Sequence, residues 1–467
     1  MAGRTPPRAG WLFAHDWDAQ AMHALAAAGV ARFDTGGFDL FGFPDRLRLL
    51  GFDLERFAQQ QARRGRRLGW RGVLSHHEHL GALAAALVAE QLGLPGATPE
   101  SILAAQHKLY ARQVLAQAAP QANVAAELLP ARWGDRIPEG LIYPRFVKPV
   151  KAAFSIAARH VDSHEALVRH TRLTAAERWM VRRLIEPFDR VCRHRLPQAG
   201  SAHRIMLETP VPLHTPQFNL DGWVRDGEVH ALGVVDAIVR PGTQAFVRWE
   251  LPSRLPPQAQ ARILEVARRF LAAIGYRHGT FNLEFFHDDA TGRFTIIECN
   301  PRLASQFGDL YRRVLGVDPH AIAVALALGE DPAALPRTEP SAAVAASLVY
   351  RSFEGAPAPP APDPARRAAF ARAFPDALLL SFARGRRAQA IDYRWTGSHR
   401  YGIVHLGAAD RDALRARAET ASALLGWPAP YLDAIESPHA TDVADRSRTP
   451  AAATRPAPSL DEWSPSP

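Results

Sequence analysis

The stretch FNLEFFHDDATGRFTIIECNPR, residues 281–302, decides how the chain folds. Two runs, 281–287 and 293–299, alternate apolar and polar residues as half-buried strands do. Between them, Asp288-Asp289-Ala290-Thr291-Gly292 predicts a three-residue hairpin loop with Gly292 in the left-handed position of a bulge. Centring that loop on Thr291 sets Glu284 opposite Glu298 and Asn282 opposite Asn300. Side chains repeat every second residue, so Glu284, Glu298, Asn300 and Arg302 project from one face. Facing carboxylates repel each other, and a purely structural hairpin avoids them. A divalent cation removes the conflict, and carboxylate and amide oxygens suit magnesium or manganese. Magnesium takes its remaining ligands from water and substrate phosphates, which points to a nucleotide. The competing reading is a solvated hairpin with two surface acids. It fits poorly with Glu298 inside an apolar run, where an unpaired charge is costly. Everything here depends on register, because a shift of one residue separates the acids.

At 467 residues the chain exceeds one hydrophobic core and should divide into about three domains. Its 47% hydrophobic and 22% charged residues are the composition of a soluble globular enzyme. A net charge of +9, with arginine well in excess of lysine, suits anionic substrates such as nucleotides. No dense Lys/Arg tract is interleaved with aromatics, which argues against nucleic acid as a partner. Arg63-Arg64-Gly65-Arg66-Arg67 reads as a solvated loop. Two cysteines, Cys192 and Cys299, build no disulfide framework and suggest a reducing compartment. Cys299 falls opposite the acids, at a core position. The opening residues lack the apolar stretch of a signal peptide, and no run reaches the roughly 18 apolar residues of a membrane span. A cytoplasmic protein with no membrane partner is expected. The pattern fixes no oligomeric state.

Elsewhere, a strand near 11–13, a helix over 20–28 and a strand end at 72–75 are the parts of an open α/β sheet. An Ala/Leu-rich helix follows over about 80–92. His76-His77-Glu78-His79 invites a zinc reading, but four adjacent residues seldom converge on one point. A helix start, with Glu78 near the positive end of the dipole, is favoured. Thr98-Pro99-Glu100 opens a helix that runs through Gln106 to Gln113. Residues 141–150 read as a strand with Pro144 at an edge or bulge. Apolar Phe146 and Val147 precede Lys148, whose charge calls for a buried anionic partner. Residues 163–195 look helical, and 217–224 with 229–239 form a hairpin. Helices over 259–274 and 319–328 end at Gly275 and Gly329. Residues 336–435 form a C-terminal unit, with strands near 345–350, 377–382 and 402–406 and a helix near 411–425. Residues 436–467, rich in Pro, Ser, Ala and Thr, read as a disordered tail.

Phe281-Asn282-Leu283-Glu284, followed by Ile297-Glu298-Cys299-Asn300-Pro301-Arg302, resembles the metal-binding end of the ATP-grasp superfamily. The likeness extends over roughly residues 70–335. It implies an α/β fold made of an N-terminal open α/β domain (1–97), the ATP-grasp domain (98–335) and a small C-terminal domain (336–435). It implies that Glu284, Glu298 and Asn300 bind Mg2+ (or Mn2+) on ATP. Arg302 becomes a catalytic cation facing phosphate or substrate. Lys108 matches a nucleotide-binding lysine on a helix, and Lys148 matches the strand lysine that contacts the phosphates. Residues 151–158 match the phosphate lid but hold no glycine; Lys151, Ser155 and alanines stand in its place. Residues 205–211 match the hinge beside adenine, with Glu208 and Val211 as nucleotide contacts. The turn after the strand near 72–75 borders the substrate pocket, so Ser75 and Glu78 are candidate substrate contacts.

The implied activity is that of an ADP-forming ligase acting on small molecules. ATP phosphorylates a carboxylate to an acyl phosphate, and an amine, less often a thiol or hydroxyl, displaces phosphate. An amino acid is a candidate substrate. Two alternatives stay open: a bicarbonate-activating enzyme of the biotin-carboxylase type, and a module that holds nucleotide without turnover. In biotin carboxylases, a glutamate six residues after the metal-binding asparagine is the base on bicarbonate. Here that position is Gln306, which cannot accept a proton.

Overall fold

Parallel strands need crossover helices, and the first unit supplies them. β1 (Arg8–Leu12), β2 (Arg32–Gly36) and β3 (Trp70–Leu74) form a parallel sheet in the order β2-β1-β3. α1 (Asp16–Ala27) and α2 (Leu54–Leu68) lie in the crossovers. α2 starts where the Asp53 carboxylate accepts the Arg56 N–H at 2.9 Å, and it stops at left-handed Gly69. The arginines at 63, 64, 66 and 67 lie on this helix rather than in the expected loop. Arg66 and Arg67 occupy its last turn, near the negative end of the dipole. The run 76–79, expected to open a helix, is a buried turn instead; α3 (Gly81–Leu92) begins after it. This computed structural model describes residues 5–38, 51–152, 158–212, 214–243, 245–353, 355–356, 358–382 and 386–430. Ser155, most of the lid and the tail 436–467 lie outside them. Among the described residues no helix is long and apolar enough to cross a membrane.

Where one helix was expected there are two, α4 (Pro99–Gln106) and α5 (Lys108–Ala118). His107 between them is extended, with φ −84° and ψ 92°. Its ring nitrogen accepts the Tyr110 N–H at 3.2 Å and so starts the second helix. The break frees the Lys108 N–H to donate to the Val150 carbonyl at 3.0 Å. Val150 follows the second strand of a four-stranded antiparallel sheet. Its strands are β4 (Ala126–Leu128), β5 (Arg145–Pro149), β6 (Arg159–Val161) and β7 (Ile205–Glu208), in the order β4-β7-β5-β6. β5 is shorter than the expected strand, and Pro144 lies just before it, where its missing N–H breaks no ladder. α6 (His164–Thr171) and α7 (Ala175–Arg195) fill the expected helical region.

An antiparallel sheet of eight strands makes up the rest. It contains β8 (Gln217–Arg225), β9 (Glu228–Val239), β10 (Phe246–Leu251), β11 (Gly279–Asp288) and β12 (Arg293–Asn300). β13 (Val344–Phe353), β14 (Leu378–Ser381) and β15 (Ser398–Ala408) extend it, in the order β12-β11-β8-β9-β10-β13-β15-β14. The β8–β9 turn places Asp226 and Gly227 at positive φ, 53° and 91°, as a tight two-residue hairpin turn requires. α8 (Pro257–Ala273) joins the core beneath the hairpin through Ile263, Val266 and Phe270. α9 (Gly308–Leu315) and α10 (Pro319–Leu328) follow the β11–β12 hairpin. The C-terminal helices are α11 (Pro364–Ala373), α12 (Arg386–Thr396) and α13 (Arg411–Leu425). The sheet runs through the β10–β13 pair across position 335, yet the C-terminal strands keep a core of their own around Leu348, Tyr350, Leu414 and Trp427.

In the β11–β12 hairpin, Glu284 stands opposite Glu298 and Asn282 opposite Asn300, as expected. The loop differs. Asp288 pairs with Arg293, so the loop has four residues rather than three, with Gly292 at φ 64°. A bulge at Ile297 absorbs the extra residue. That bulge is what sorts the strand. Phe294, Ile296, Glu298 and Asn300 are all even-numbered, and strict alternation would put them on one face. With the bulge, Phe294 and Ile296 join Phe281, Leu283, Phe285 and Cys299 in the core. Glu298 and Asn300 turn to the other side.

The neighbouring β8–β9 pair has its own irregularity beside Asp221 and Gly222, where Leu232 is the extra residue on β9. A β-carbon on Gly222 would sit 2.4 Å from the His230 carbonyl oxygen and 2.6 Å from the Phe281 ring. Gly222→Ala should therefore destabilise the fold by about 1–3 kcal/mol, as overpacking does. Urea denaturation reads this, and an unchanged midpoint contradicts the packing described.

Candidate active site

The face opposite that core is polar across three strands. β11 contributes Asn282 and Glu284, β12 contributes Glu298 and Asn300, and β8 adds Gln217, Asn219 and Asp221. Amide groups separate the acids. Asn300 Nδ2 donates to Glu284 Oε1 at 3.0 Å, and Gln217 Nε2 donates to Glu284 Oε2 at 3.2 Å. Asn282 Nδ2 donates to Asp221 Oδ1 at 3.0 Å, and the Tyr311 hydroxyl donates to Asp221 Oδ2 at 2.9 Å. Burial, with Glu298 and Glu78 nearby, pushes the Glu284 carboxyl up to about 8. Burial likewise raises Asp221 to about 6. Glu298 behaves oppositely: burial acts to raise it, but Lys108 outweighs burial and holds it below the usual carboxylate range. The donors are all oxygens, carboxylates among them, which fits a hard divalent cation. Asn219 and Asp221 were not singled out from sequence. Their signal was present in the polar–apolar alternation of 217–224, inside a hairpin read only for its shape.

Five cations surround these oxygens, each on a carboxylate or an amide oxygen. Lys108, at the first turn of α5, donates to Glu298. Lys148 on β5 reaches Glu208 Oε1 at 2.9 Å, and Arg112 Nε reaches the same oxygen at 2.6 Å. Glu208 is thus the buried anion that Lys148 called for. Burial acts to raise the Glu208 carboxyl, but Lys148 and Arg112 outweigh it and hold it at about 2. Burial lowers Lys148 to about 8 and Lys151 to about 7. Lys151 donates to Gln106 Oε1 at 2.9 Å and lies 4.6 Å over the Phe188 ring. Arg302 Nη2 donates to Glu78 Oε2 at 2.9 Å, which joins the hairpin exit to the turn after β3. Arg112 was missed. It lies one helical turn beyond Lys108, a spacing that puts both on one face.

The structure therefore brings Lys108, Glu284, Glu298 and Asn300 together, sets Arg302 on Glu78, and sets Lys148 on Glu208. Val211 is half-buried just beyond β7. Ser75 Oγ accepts the His77 N–H at 3.2 Å, inside the first unit's own turn. The histidines of that turn diverge, as expected of adjacent residues. His76 meets Asp18 at 2.9 Å, whereas His79 Nε2 meets the Leu184 carbonyl at 2.9 Å.

No family model matches the chain. Carnosine synthase 1 from Gallus gallus is 38% identical over 106 residues, 22% of this chain and 11% of the relative. The chain thus matches about a tenth of that relative's length. Three solved structures are similar over nearly the whole chain. L-amino acid ligase from Bacillus licheniformis superposes with a TM-score of 0.65 at 15% identity, over 90% of this chain and 98% of the other. N5-carboxyaminoimidazole synthase from Aspergillus clavatus, bound to ADP and a ribonucleotide, gives 0.60 at 13% identity, over 90% and 99%. Biotin carboxylase from Campylobacter jejuni gives 0.58 at 16% identity, over 89% and 91%. Identities this low speak for the architecture alone: the chain shares the fold of these three enzymes.

Proposed function

We propose that the chain is an ATP-dependent, ADP-forming ligase that activates a carboxylate as an acyl phosphate and joins it to an amine. The observation that carries this reading is the convergence of Lys108, Glu284, Glu298 and Asn300 on one sheet face, with Arg302 at its edge. Likeness to an L-amino acid ligase, and the shorter match to carnosine synthase 1, support an amino acid as one substrate and a dipeptide-like product.

In this reading Lys108 and Lys148 hold the phosphates, exchanging Glu298 and Glu208 for phosphate oxygens. The β7 strand and Val211 lie against the base. Glu284, Glu298 and Asn300 hold Mg2+ or Mn2+, which when bound neutralises phosphate charge. Arg302 leaves Glu78 for the substrate carboxylate or the transferred phosphoryl group. A carboxylate oxygen attacks the terminal phosphorus while its bond to ADP breaks. The amine nitrogen then attacks the acyl carbon, phosphate leaves, and the nitrogen loses a proton. The chain's part is orientation and charge compensation, so the reaction needs no protein nucleophile.

Hydroxylamine in place of the amine should trap a hydroxamate of the true carboxylate substrate. Glu298→Gln, which keeps the shape but removes a ligand charge and the Lys108 partner, should cut that signal by about a hundred- to a thousand-fold. Arg302→Lys should also be damaging, since an ammonium cannot make a planar two-pronged contact. Both variants within a few-fold of wild type, with circular dichroism unchanged, would sink the site.

A second test uses pH. With Glu284 raised to about 8, a proton occupies it at neutral pH, and a cation must displace that proton. Apparent magnesium affinity should rise with pH and level off above about 8. Calorimetry at pH 7 in buffers of different ionisation enthalpy should show about one proton released per ion bound. Affinity flat from pH 6 to 9 contradicts this.

The bicarbonate-activating alternative lacks its base. Gln306 donates through Nε2 to Ser347 Oγ at 2.8 Å, which holds the amide against the sheet. Bicarbonate added to the purified chain with magnesium-ATP should release no ADP above background. Release proportional to bicarbonate would promote that alternative.

A further inference from the structure

Three side chains from distant parts of the chain meet behind the hairpin exit. Asp18 comes from α1, His76 from the turn after β3, and His320 from the first turn of α10. All are buried, at 0%, 4% and 3% exposure. Each aims one ligand atom at the same point, all within 4.8 Å of one another. Asp18 Oδ1 lies 2.9 Å from His76 Nδ1 and 3.9 Å from His320 Nε2. Atoms bound tetrahedrally to zinc at about 2.0–2.2 Å stand at similar separations.

Hydrogen bonding accounts for only part of the cluster. Asp18 is satisfied: Oδ1 also accepts from Ser305 Oγ at 2.9 Å, and Oδ2 accepts the His15 N–H at 2.9 Å. Among the described residues, neither ring nitrogen of His320 has a hydrogen-bond partner, nor does His76 Nε2. Such groups are rare in interiors and point to something they bind. The fold also makes room for the His320 ring. A β-carbon on Gly308 would lie 2.5 Å from His320 Cε1, although Gly308 is ordinary helical backbone that any residue adopts. The Asp318 carboxylate stands 3.6 Å from His320 Nδ1, the nitrogen facing away from Asp18. A carboxylate at that place is how metal-binding histidines are commonly oriented.

We propose that Asp18, His76 and His320 hold a divalent transition-metal ion, separate from the hairpin site. Two imidazoles and a carboxylate suit zinc, with water or Ser305 Oγ in the fourth position. The ion joins the first unit to the segment leaving the hairpin. His76 is two residues before Glu78, and Ser305 three after Arg302, so the ion fixes the footing on which the Glu78–Arg302 pair stands. The proposal does not depend on the ligase reading.

The test uses the full chain, stripped with chelator and returned to excess Mg2+, so that hard oxygen sites are filled. Co2+ is the probe, because low-coordinate cobalt with imidazole ligands absorbs visible light strongly while octahedral oxygen sites absorb weakly. Wild type should bind one Co2+ per chain with the strong absorption, lose it to added Zn2+, and melt at a higher temperature with Zn2+ than without. His320→Gln should lose both the absorption and the Zn2+-dependent melting shift. Should it fail to fold by circular dichroism, Asp18→Asn, alike in shape, is read in its place. Absence of the strong absorption in wild type overturns the proposal. So does a variant that folds and keeps it.

Discussion

Two carboxylates held opposite each other on adjacent strands must divide their charge, and Glu284 and Glu298 do so unequally. Glu298 takes Lys108, which holds it below the usual carboxylate range, while Glu284 takes two amides and is pushed up by burial and by Glu298. The neighbouring cations follow the same rule. Lys148 and Arg112 share Glu208, and Arg302 rests on Glu78. An anionic ligand therefore has to displace a protein carboxylate from its cation. Each carboxylate so released is itself left in need of positive charge. In the ligase proposed above, nucleotide and divalent cation would lower each other's cost of entry, a reciprocal coupling built from side chains.

The hairpin was legible because its signals are local. Turn residues, alternation and the pair of acids all lie within 22 consecutive residues. Even so, the facing of Glu284 and Glu298 came out right while the loop length was off by one. The bulge at Ile297 compensates for the longer loop, and its purpose emerges only when the core face is known. Helix ends marked by glycine, such as Gly275 and Gly329, were also legible, because a left-handed residue stops a helix whatever surrounds it.

What could not be read were features decided by distant partners. Nothing near His107 marks a helix break; it is made by a ring nitrogen capping Tyr110 and by the Val150 carbonyl, 42 positions beyond Lys108. Glu208 looked like a hinge residue and proves to be the counter-ion of Lys148 and Arg112. Arg63 to Arg67 looked like a loop because their charge hid a helix whose buried side is Ala58, Ala62 and Gly65. The His76–His79 run opens no helix, since all four residues are drawn inward by contacts from elsewhere. Sequence distance, more than chemistry, set the limit.

The hydrogen bond between the Lys108 N–H and the Val150 carbonyl has a mechanical meaning. Lys148 lies two residues before Val150 on the same short length of backbone, and Arg112 of the same helix as Lys108 donates to the Ile296 and Ile297 carbonyls of β12 at 2.7 and 3.3 Å, so α5 is bonded to both sheets. The carboxylate partners of the two lysines are mounted separately, Glu298 on the eight-stranded sheet and Glu208 on the strand beside Lys148. The Lys108–Glu298 pair thus bridges from the helix to the eight-stranded sheet, whereas Lys148 and Glu208 both belong to the four-stranded sheet. The two lysines therefore differ in kind: the ion pair of one crosses between structural units, and that of the other stays within a single sheet.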